Sequence, residues 1–143
     1  MRKLIAIFAM LSLSAWAQAA DTITVKNAWV RAPAPGAEIA AAYMTLEVTE
    51  PMTLYAATST AAKAVEVHNM SMKNGVMEMR EIKQLDLQPG KPTTLEPGSL
   101  HLMLIDLKKP LKAGDNVNIV LNFRNGKQEL RAKGFNVPVK TAP

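Results

Sequence analysis

Histidine and methionine side chains are concentrated in one stretch of this sequence, residues 68–103. The stretch contains both histidines of the chain and five of its nine methionines, and the chain has no cysteine. Thioether sulfur is a soft ligand that suits Cu(I), whereas zinc prefers cysteine, histidine and carboxylate ligands. Imidazole and thioether are uncharged, so a bound Cu(I) ion would keep its single positive charge. The stretch therefore predicts a Cu(I) site, with candidate ligands among His68, Met70, Met72, Met77, Met79, His101 and Met103.

The first part of the stretch predicts a β-hairpin. Asn74-Gly75 lies between two alternating runs, and Asn-Gly in that position is the strongest short hairpin signal. A two-residue loop brings residues 68, 70 and 72 opposite residues 81, 79 and 77, with all six on one face of the hairpin. His68 and Met79 are then diagonal neighbours, with Cα atoms about 7–8 Å apart.

The last part of the stretch predicts a strand over residues 100–107. Leu100, Leu102 and Leu104 alternate with His101 and Met103. Because side chains on a strand point alternately to its two faces, the leucines occupy one face and the two candidate ligands the other. The leucines are the natural core face, so we expect His101 and Met103 to point outward or towards a rim.

Each candidate ligand has an ordinary structural explanation when it is taken alone. Methionine usually fills space in a protein core, and we expect this of Met44 and Met52. A single histidine is usually a surface residue or a hydrogen-bonded one. The joint pattern favours a site, because His68 and His101 are the only histidines and each lies within two residues of a methionine on the same strand face.

Other kinds of functional site have little support. The absence of cysteine excludes a disulfide framework, a zinc–thiolate site and a type 1 blue-copper centre. There is no third histidine and no glycine-rich phosphate loop, so we do not predict an enzyme. Glu66, Glu78, Glu81 and Asp106 are interpreted as polar strand positions. Glu81 is also a candidate for orienting the ring of His68, which it would face.

The remaining chain also predicts β-structure. Short alternating runs are separated by turn signals, and no convincing helical pattern follows the first 20 residues. We predict about eight or nine strands in an all-β Greek-key sandwich or barrel. The predicted strand regions are 23–30, 40–48, 52–59, 64–72, 76–82, a short T-T-L strand, 100–107, 117–123 and 128–135.

Three local expectations accompany these strands. Regions 40–48 and 52–59 are predicted to form a hairpin around Glu50-Pro51. Asn125-Gly126 is predicted to form a second tight hairpin turn. The residues from 137 onwards are predicted to begin a short tail.

The N-terminus has the pattern of a secretory signal. A short positive segment precedes an apolar segment over residues 4–13, and Ala17-Gln18-Ala19 matches an A-x-A cleavage site. The apolar segment is too short to span a bilayer, which needs about 20 residues. We therefore predict that residues 1–19 are removed and that residues 20–143 form one exported, periplasmic domain. Loss of Arg2 and Lys3 lowers the formal charge from +5 to +3 (15 − 12), and the scattered basic residues do not indicate nucleic-acid binding.

The sequence resembles the PCuAC family of periplasmic copper(I) chaperones. The family motif is a histidine, ten residues, a methionine, twenty-one residues and then His-x-Met, which His68, Met79 and His101-Leu102-Met103 match without a gap. Segments such as A-P-A-P-G and P-G-S-L-H-L-M-L also look like the family, and the resemblance covers essentially all of residues 20–143.

The resemblance implies a cupredoxin-like β-sandwich that binds Cu(I) through His68, Met79, His101 and Met103. It also implies copper transfer towards the CuA centre of cytochrome c oxidase, alongside a thioredoxin-like copper donor. Some family members carry a His/Met-rich C-terminal extension, and because this chain stops at Pro143 we do not expect a second site there. Met70 and Met72 lie outside the minimal motif and are treated as auxiliaries.

Three functions are compatible with these features. The first is a monomeric carrier that binds copper and passes it to an acceptor protein. The second is copper storage by sequestration, which requires more than one metal ion per chain. The third is an interaction module without a metal, in which Met70, Met72, Met77 and Met79 form an apolar docking patch.

Overall fold

The computed structural model describes residues 21–142, so the predicted signal peptide and its cleavage site lie outside the described residues. The described part of the chain consists of ten strands joined by loops and turns. The strands are β1 (Ile23–Arg31), β2 (Ile39–Val48), β3 (Met52–Ser59), β4 (Ala62–Lys73), β5 (Val76–Glu81), β6 (Leu85–Leu87), β7 (Thr93–Leu95), β8 (Leu100–Leu107), β9 (Asn116–Asn125) and β10 (Leu130–Lys140). Within residues 21–142, no helix is long and apolar enough to cross a membrane.

Seven of the strands close into a barrel. Going around it, the order is β4, β8, β2, β1, β10, β9 and β3, which pairs with β4 again. β5, β6 and β7 pair with β4, β3 and β2 respectively, and β1–β10 is the one parallel pair among the described strands. The connections from β2 to β3 and from β8 to β9 cross from one side of the barrel to the other. The predicted all-β Greek-key architecture is confirmed.

The hydrophobic core fills the inside of the barrel. Leu102 and Leu104 of β8 are fully buried, as are the inward residues of β9. Met44 and Met52 are 2% and 3% exposed, which confirms their prediction as core residues. Because side chains alternate along each strand, this core fixes which residues point outward.

Two predictions about strand pairing are wrong. β2 and β3 do not form a hairpin: β2 pairs with β1, β7 and β8, whereas β3 pairs with β4, β6 and β9. The alternation that predicts a strand does not select its partner, and Pro51 has no N–H group with which to help close a tight turn. The predicted C-terminal tail is part of β10, where Val137 pairs with Val117 and Val139 with Val30. Both valines are buried, so their side chains complete the core.

The two Asn-Gly sequences form different turns. Asn74 and Gly75 have φ angles of 51° and 76°, and Lys73 pairs with Val76, so the predicted two-residue turn is confirmed as type I′. At the second site the left-handed residue is Gln128, with φ 63°, and the last strand pair is Arg124 with Leu130.

The second turn is longer than predicted because Asn125 organises it with its side chain. Asn125 is buried, and its Oδ1 accepts hydrogen bonds from the backbone N–H groups of Lys127 and Glu129. These two bonds add to the backbone bonds of the turn, from the Asn125 N–H to the Glu129 oxygen and from the Gln128 N–H to the Asn125 oxygen, and stabilise the longer loop.

Candidate metal site

The two histidines lie directly opposite each other on adjacent strands. β4 and β8 are antiparallel neighbours, and their register pairs His68 with His101. The ring centroids are 5.8 Å apart in an edge-on arrangement. Because Val67 and Leu102 occupy the core side of the same strands, both imidazoles project from the outer face of the barrel, as predicted for His101.

His101 points outward, as expected, yet its side chain is buried. Its side chain points away from the leucine core, but it is only 3% exposed. Tyr43 of β2 lies on one side, with its ring centroid 6.5 Å from that of His101, and His68 lies on the other. Side chains that project outward from the neighbouring strands therefore bury this imidazole almost completely.

The two imidazoles use different ring nitrogens for their hydrogen bonds. In the neutral form, their free lone pairs are therefore on different nitrogens. The Nδ1 atom of His101 lies 3.0 Å from the backbone oxygen of Ser99, which can only accept, so Nδ1–H donates and Nε2 keeps its lone pair. The Nε2 atom of His68 lies 2.7 Å from Oε2 of Glu66, so Nε2–H donates to the carboxylate. The lone pair of His68 is then on Nδ1.

The Nδ1 atom of His68 is unusual for a buried polar atom. Among side-chain nitrogen and oxygen atoms of residues 21–142 that have essentially no solvent-accessible surface, it alone lacks a hydrogen-bond partner. Buried polar groups are nearly always paired, since leaving one unpaired costs roughly 1–3 kcal/mol. A lone pair held in this state is suited to a metal ion.

The two motif methionines lie on the same outer face as the histidines. Met103 is half-buried on β8, where it pairs with Glu66 of β4 and Ala41 of β2. Met79 of β5 pairs with Met70 and is therefore diagonal to His68, at a Cα separation of about 7–8 Å. The structure thus brings His68, Met79, His101 and Met103 onto one face of three adjacent strands.

The carboxylate that contacts His68 is not the one predicted. Glu81 does pair with His68 in the register, but both of its carboxylate oxygens lie 2.6 Å from Nζ of Lys83. This hydrogen bond raises the pKa of Lys83 above its ordinary value. The sequence reasoning missed Glu66, although a residue two positions before His68 on a strand shares its face.

Carboxylates and histidines do not by themselves form a metal site here. Within residues 21–142, no group of three or more histidine, cysteine, aspartate or glutamate side chains is arranged to hold a metal ion. The soft donors next to the two imidazoles are the methionine thioethers. The arrangement therefore suits a soft ion better than one that prefers oxygen ligands.

A row of aromatic rings continues from the histidines across the sheet. Trp29 of β1 packs against Tyr43 with ring centroids 4.8 Å apart, and Tyr43 in turn covers His101. The guanidinium of Arg31 lies 5.8 Å and 5.5 Å from the centres of the Trp29 and Tyr43 rings. This row was not predicted, because it depends on Tyr43 of β2 lying beside His101 of β8, and these two strands are distant in sequence.

A cleft among the described residues lies away from these side chains. It has a volume of about 610 Å³ and lies at the end of β8 remote from His101, between residues 32–38 and 107–113. Neither histidine nor methionine lines it. The cleft therefore contributes none of the ligands considered for a metal.

Comparisons with known proteins agree on one family. Residues 23–138 match the family model described as "Putative lipoprotein LpqE-like". The "Putative lipoprotein Lxx21020" of Leifsonia xyli subsp. xyli is 36% identical over 124 residues, which cover 85% of this chain and 71% of the relative.

Solved structures agree with the family match. The solution structure of CuI-DR1885 from Deinococcus radiodurans has a TM-score of 0.65 at 30% identity, covering 91% of this chain and 85% of that one. The copper-bound PCuAC domain from PmoF2 has a TM-score of 0.67 at 23% identity, covering 87% and 97% of the two chains. These matches confirm the cupredoxin-like fold.

Proposed function

This chain belongs to the LpqE-like family, which is the PCuAC family, and we propose that it is a copper(I) carrier. The observation that supports this most strongly is the pair of facing imidazoles, His68 and His101, each with one nitrogen free of hydrogen bonds beside thioether side chains. The relatives named CuI-DR1885 and copper-bound PmoF2 bind copper, as their names state.

The proposed ligands are Nδ1 of His68, Nε2 of His101 and the sulfurs of Met79 and Met103. All four groups bind as neutral ligands, so the bound ion keeps its +1 charge. Glu66 and the Ser99 carbonyl hold the two rings in the required tautomers. Copper is the cargo of this site and takes no part in a reaction on the protein.

The uneven exposure of the ligands suits transfer to a partner. His101 is buried, whereas Met79 is 48% exposed on the edge strand β5. A partner ligand can approach from the Met79 side and replace that thioether first, with one copper–sulfur bond breaking as another bond forms. His101 then remains attached until the later steps, so the ion is never released into water.

We also propose where the protein works and with which proteins it exchanges copper. Residues 1–19 act as a signal peptide, and residues 20–143 work as a monomer in the periplasm; the lipoprotein names of the family and of the Leifsonia relative support export. The acceptor is the CuA centre of cytochrome c oxidase, with a thioredoxin-like protein as copper donor. The protein itself catalyses no reaction.

Competition against a chromophoric Cu(I) chelator tests the proposed ligands. His101→Ala and Met103→Ala should each lower Cu(I) affinity by more than the roughly 10–100-fold that follows loss of a residue behind a ligand. Met52→Leu, which changes a buried methionine, serves as the matched control and should leave affinity unchanged. Unaltered affinity in both site variants would reject the assignment.

Storage by sequestration is the second candidate function. The observation in its favour is the presence of three further methionines, Met70, Met72 and Met77, on the face of the proposed site. Storage requires copper to stay bound when an acceptor domain is added. Transfer of copper to an isolated CuA domain, followed by the copper spectrum of that domain, distinguishes carrier from store.

A further inference from the structure

The hairpin of β4 and β5 extends beyond the barrel as a free ribbon. β4 pairs with β8 only as far as Asn69 with Leu100, apart from one hydrogen bond of 3.3 Å from the Met70 N–H to the Ser99 oxygen. Beyond that point, residues 70–73 and 76–79 pair only with each other. We call residues 70–79 the ribbon.

The two faces of the ribbon differ completely in chemistry. Its register pairs Met70 with Met79 and Met72 with Met77, so one face consists of thioethers alone. The opposite face is largely polar and includes the ion pair between Glu78 and Arg80, of 2.9 Å. The side chains on that opposite face are those of residues 71, 73, 76 and 78, and of residues 69 and 80 at its base.

A contribution to folding stability does not explain why this face consists of methionines. Met72 is 65% exposed and Met77 is 47% exposed, so neither gains much free energy from burial. An apolar patch could equally be made of leucine or valine, which have higher or similar strand preferences. The property that all four side chains share, and that leucine lacks, is a soft sulfur atom.

We propose that Met70, Met72 and Met77 form a second, weaker Cu(I) site, the outer site, which passes copper to the proposed carrier site. The proposal rests on the proposed carrier function, since that site is the destination. Directly opposite side chains have Cβ atoms about 4.5–5.5 Å apart, so the sulfurs of Met72 and Met77 can approach a single ion, with Met70 next along the face. Three thioethers are a ligand set suited to Cu(I).

The same register supplies a route from the outer site inward. Met70 pairs directly with Met79, and Met79 is diagonal to His68. In each step one copper–sulfur bond breaks as a bond to the next ligand forms, and neither electrons nor protons are exchanged. Glu66 lies at the inner end of this face, where its negative charge favours movement of a cation in that direction.

Ag(I) titration of protein labelled with ¹³C at the methionine methyl groups tests the proposal residue by residue. The first equivalent should shift the signals of Met79 and Met103, and the second should shift those of Met70, Met72 and Met77. Met44 and Met52 are buried in the barrel and serve as internal controls that should not move. The outer site is excluded if the second equivalent shifts none of its three methionines.

A triple variant distinguishes a thioether site from a simple apolar patch. Met70→Leu, Met72→Leu and Met77→Leu together keep the apolar surface but remove the sulfurs. We expect wild type to bind a second Cu(I) at least roughly tenfold more weakly than the first. The triple variant should lose this second ion and keep the first, and a retained second ion would overturn the proposal.

His101→Ala separates failure of the outer site from failure of the carrier site. If both proposals hold, this variant loses the tight ion and keeps the weak one. Loss of both ions would overturn an independent outer site while supporting the carrier site. Retention of both would overturn the carrier assignment and leave the outer site intact.

Discussion

The barrel and the ribbon use the same side chain for different purposes. Met44 and Met52 lie in the barrel core, 2% and 3% exposed, where methionine serves as a flexible hydrocarbon. Met72, Met77 and Met79 lie on the ribbon, 65%, 47% and 48% exposed, where burial contributes little. Residue type alone therefore does not identify a ligand: a methionine becomes a candidate when it stays exposed beside other soft donors.

The largest expected difference between the two regions is in stability. Met44→Ala should lower the free energy of unfolding by about 2–5 kcal/mol, because it leaves a cavity in the barrel core. Met77→Ala should change it by less than about 0.5 kcal/mol, since the side chain is exposed. Urea denaturation followed by Trp29 fluorescence measures both values. Equal losses would mean that the ribbon packs against the barrel more than the structure shows.

For Cu(I) affinity, the substitution in the ribbon is expected to have the larger effect. Met79→Leu should lower Cu(I) affinity more than the roughly 10–100-fold typical of an indirect effect, while leaving unfolding unchanged. Met52→Leu is the matched substitution in the barrel and should leave affinity as it is. Chelator competition measures the affinities, and denaturation confirms folding. A loss in the core variant as large as that in Met79→Leu would remove the distinction between the two regions.

Glu66 lies in the barrel part of β4 and accepts a hydrogen bond from His68, two residues before the ribbon begins. Glu66→Gln should weaken Cu(I) binding by about 10–100-fold, because the charged acceptor that fixes His68 in its Nε2–H tautomer is lost. Long-range ¹H–¹⁵N spectra of the histidine rings report the tautomer directly. The matched variant is Glu81→Gln, whose carboxylate bonds Lys83 and should have little effect on either measurement. If Glu81→Gln had the larger effect on Cu(I) affinity and on the tautomer, Glu81 and not Glu66 would be the partner of His68.

The smallest expected effect concerns the two Asn-Gly turns. Gly75 at the ribbon tip has a φ angle of 76°, so Gly75→Ala should cost roughly 1 kcal/mol in local stability although the added methyl meets open space. Gly126 in the barrel loop has no such φ angle and also faces open space, so Gly126→Ala should be nearly neutral. Hydrogen exchange at the amides of residues 73 and 76 measures the opening of the ribbon. Equal protection in both variants would show that the left-handed turn does not hold the ribbon register.

Much of the site could be predicted because strand geometry is local. The alternation of Leu102 with His101 and Met103 fixes their faces, and Asn74-Gly75 fixes the register of the hairpin. The errors in strand pairing arose where a partner came from a distant part of the chain. β3 pairs with β9 and not with β2, and the supposed tail after residue 136 completes β10.

The sequence by itself determined which soft side chains are available as candidate ligands, and it determined the hairpin that pairs Met70 with Met79. These depend on residue identity and on a side-chain period of two, which neighbours along the chain suffice to set. Only the tertiary structure decided that His101 is buried beside Tyr43 and that the ribbon stands free of the barrel. Those features depend on which strands lie side by side, and that choice is made by packing of the whole barrel core.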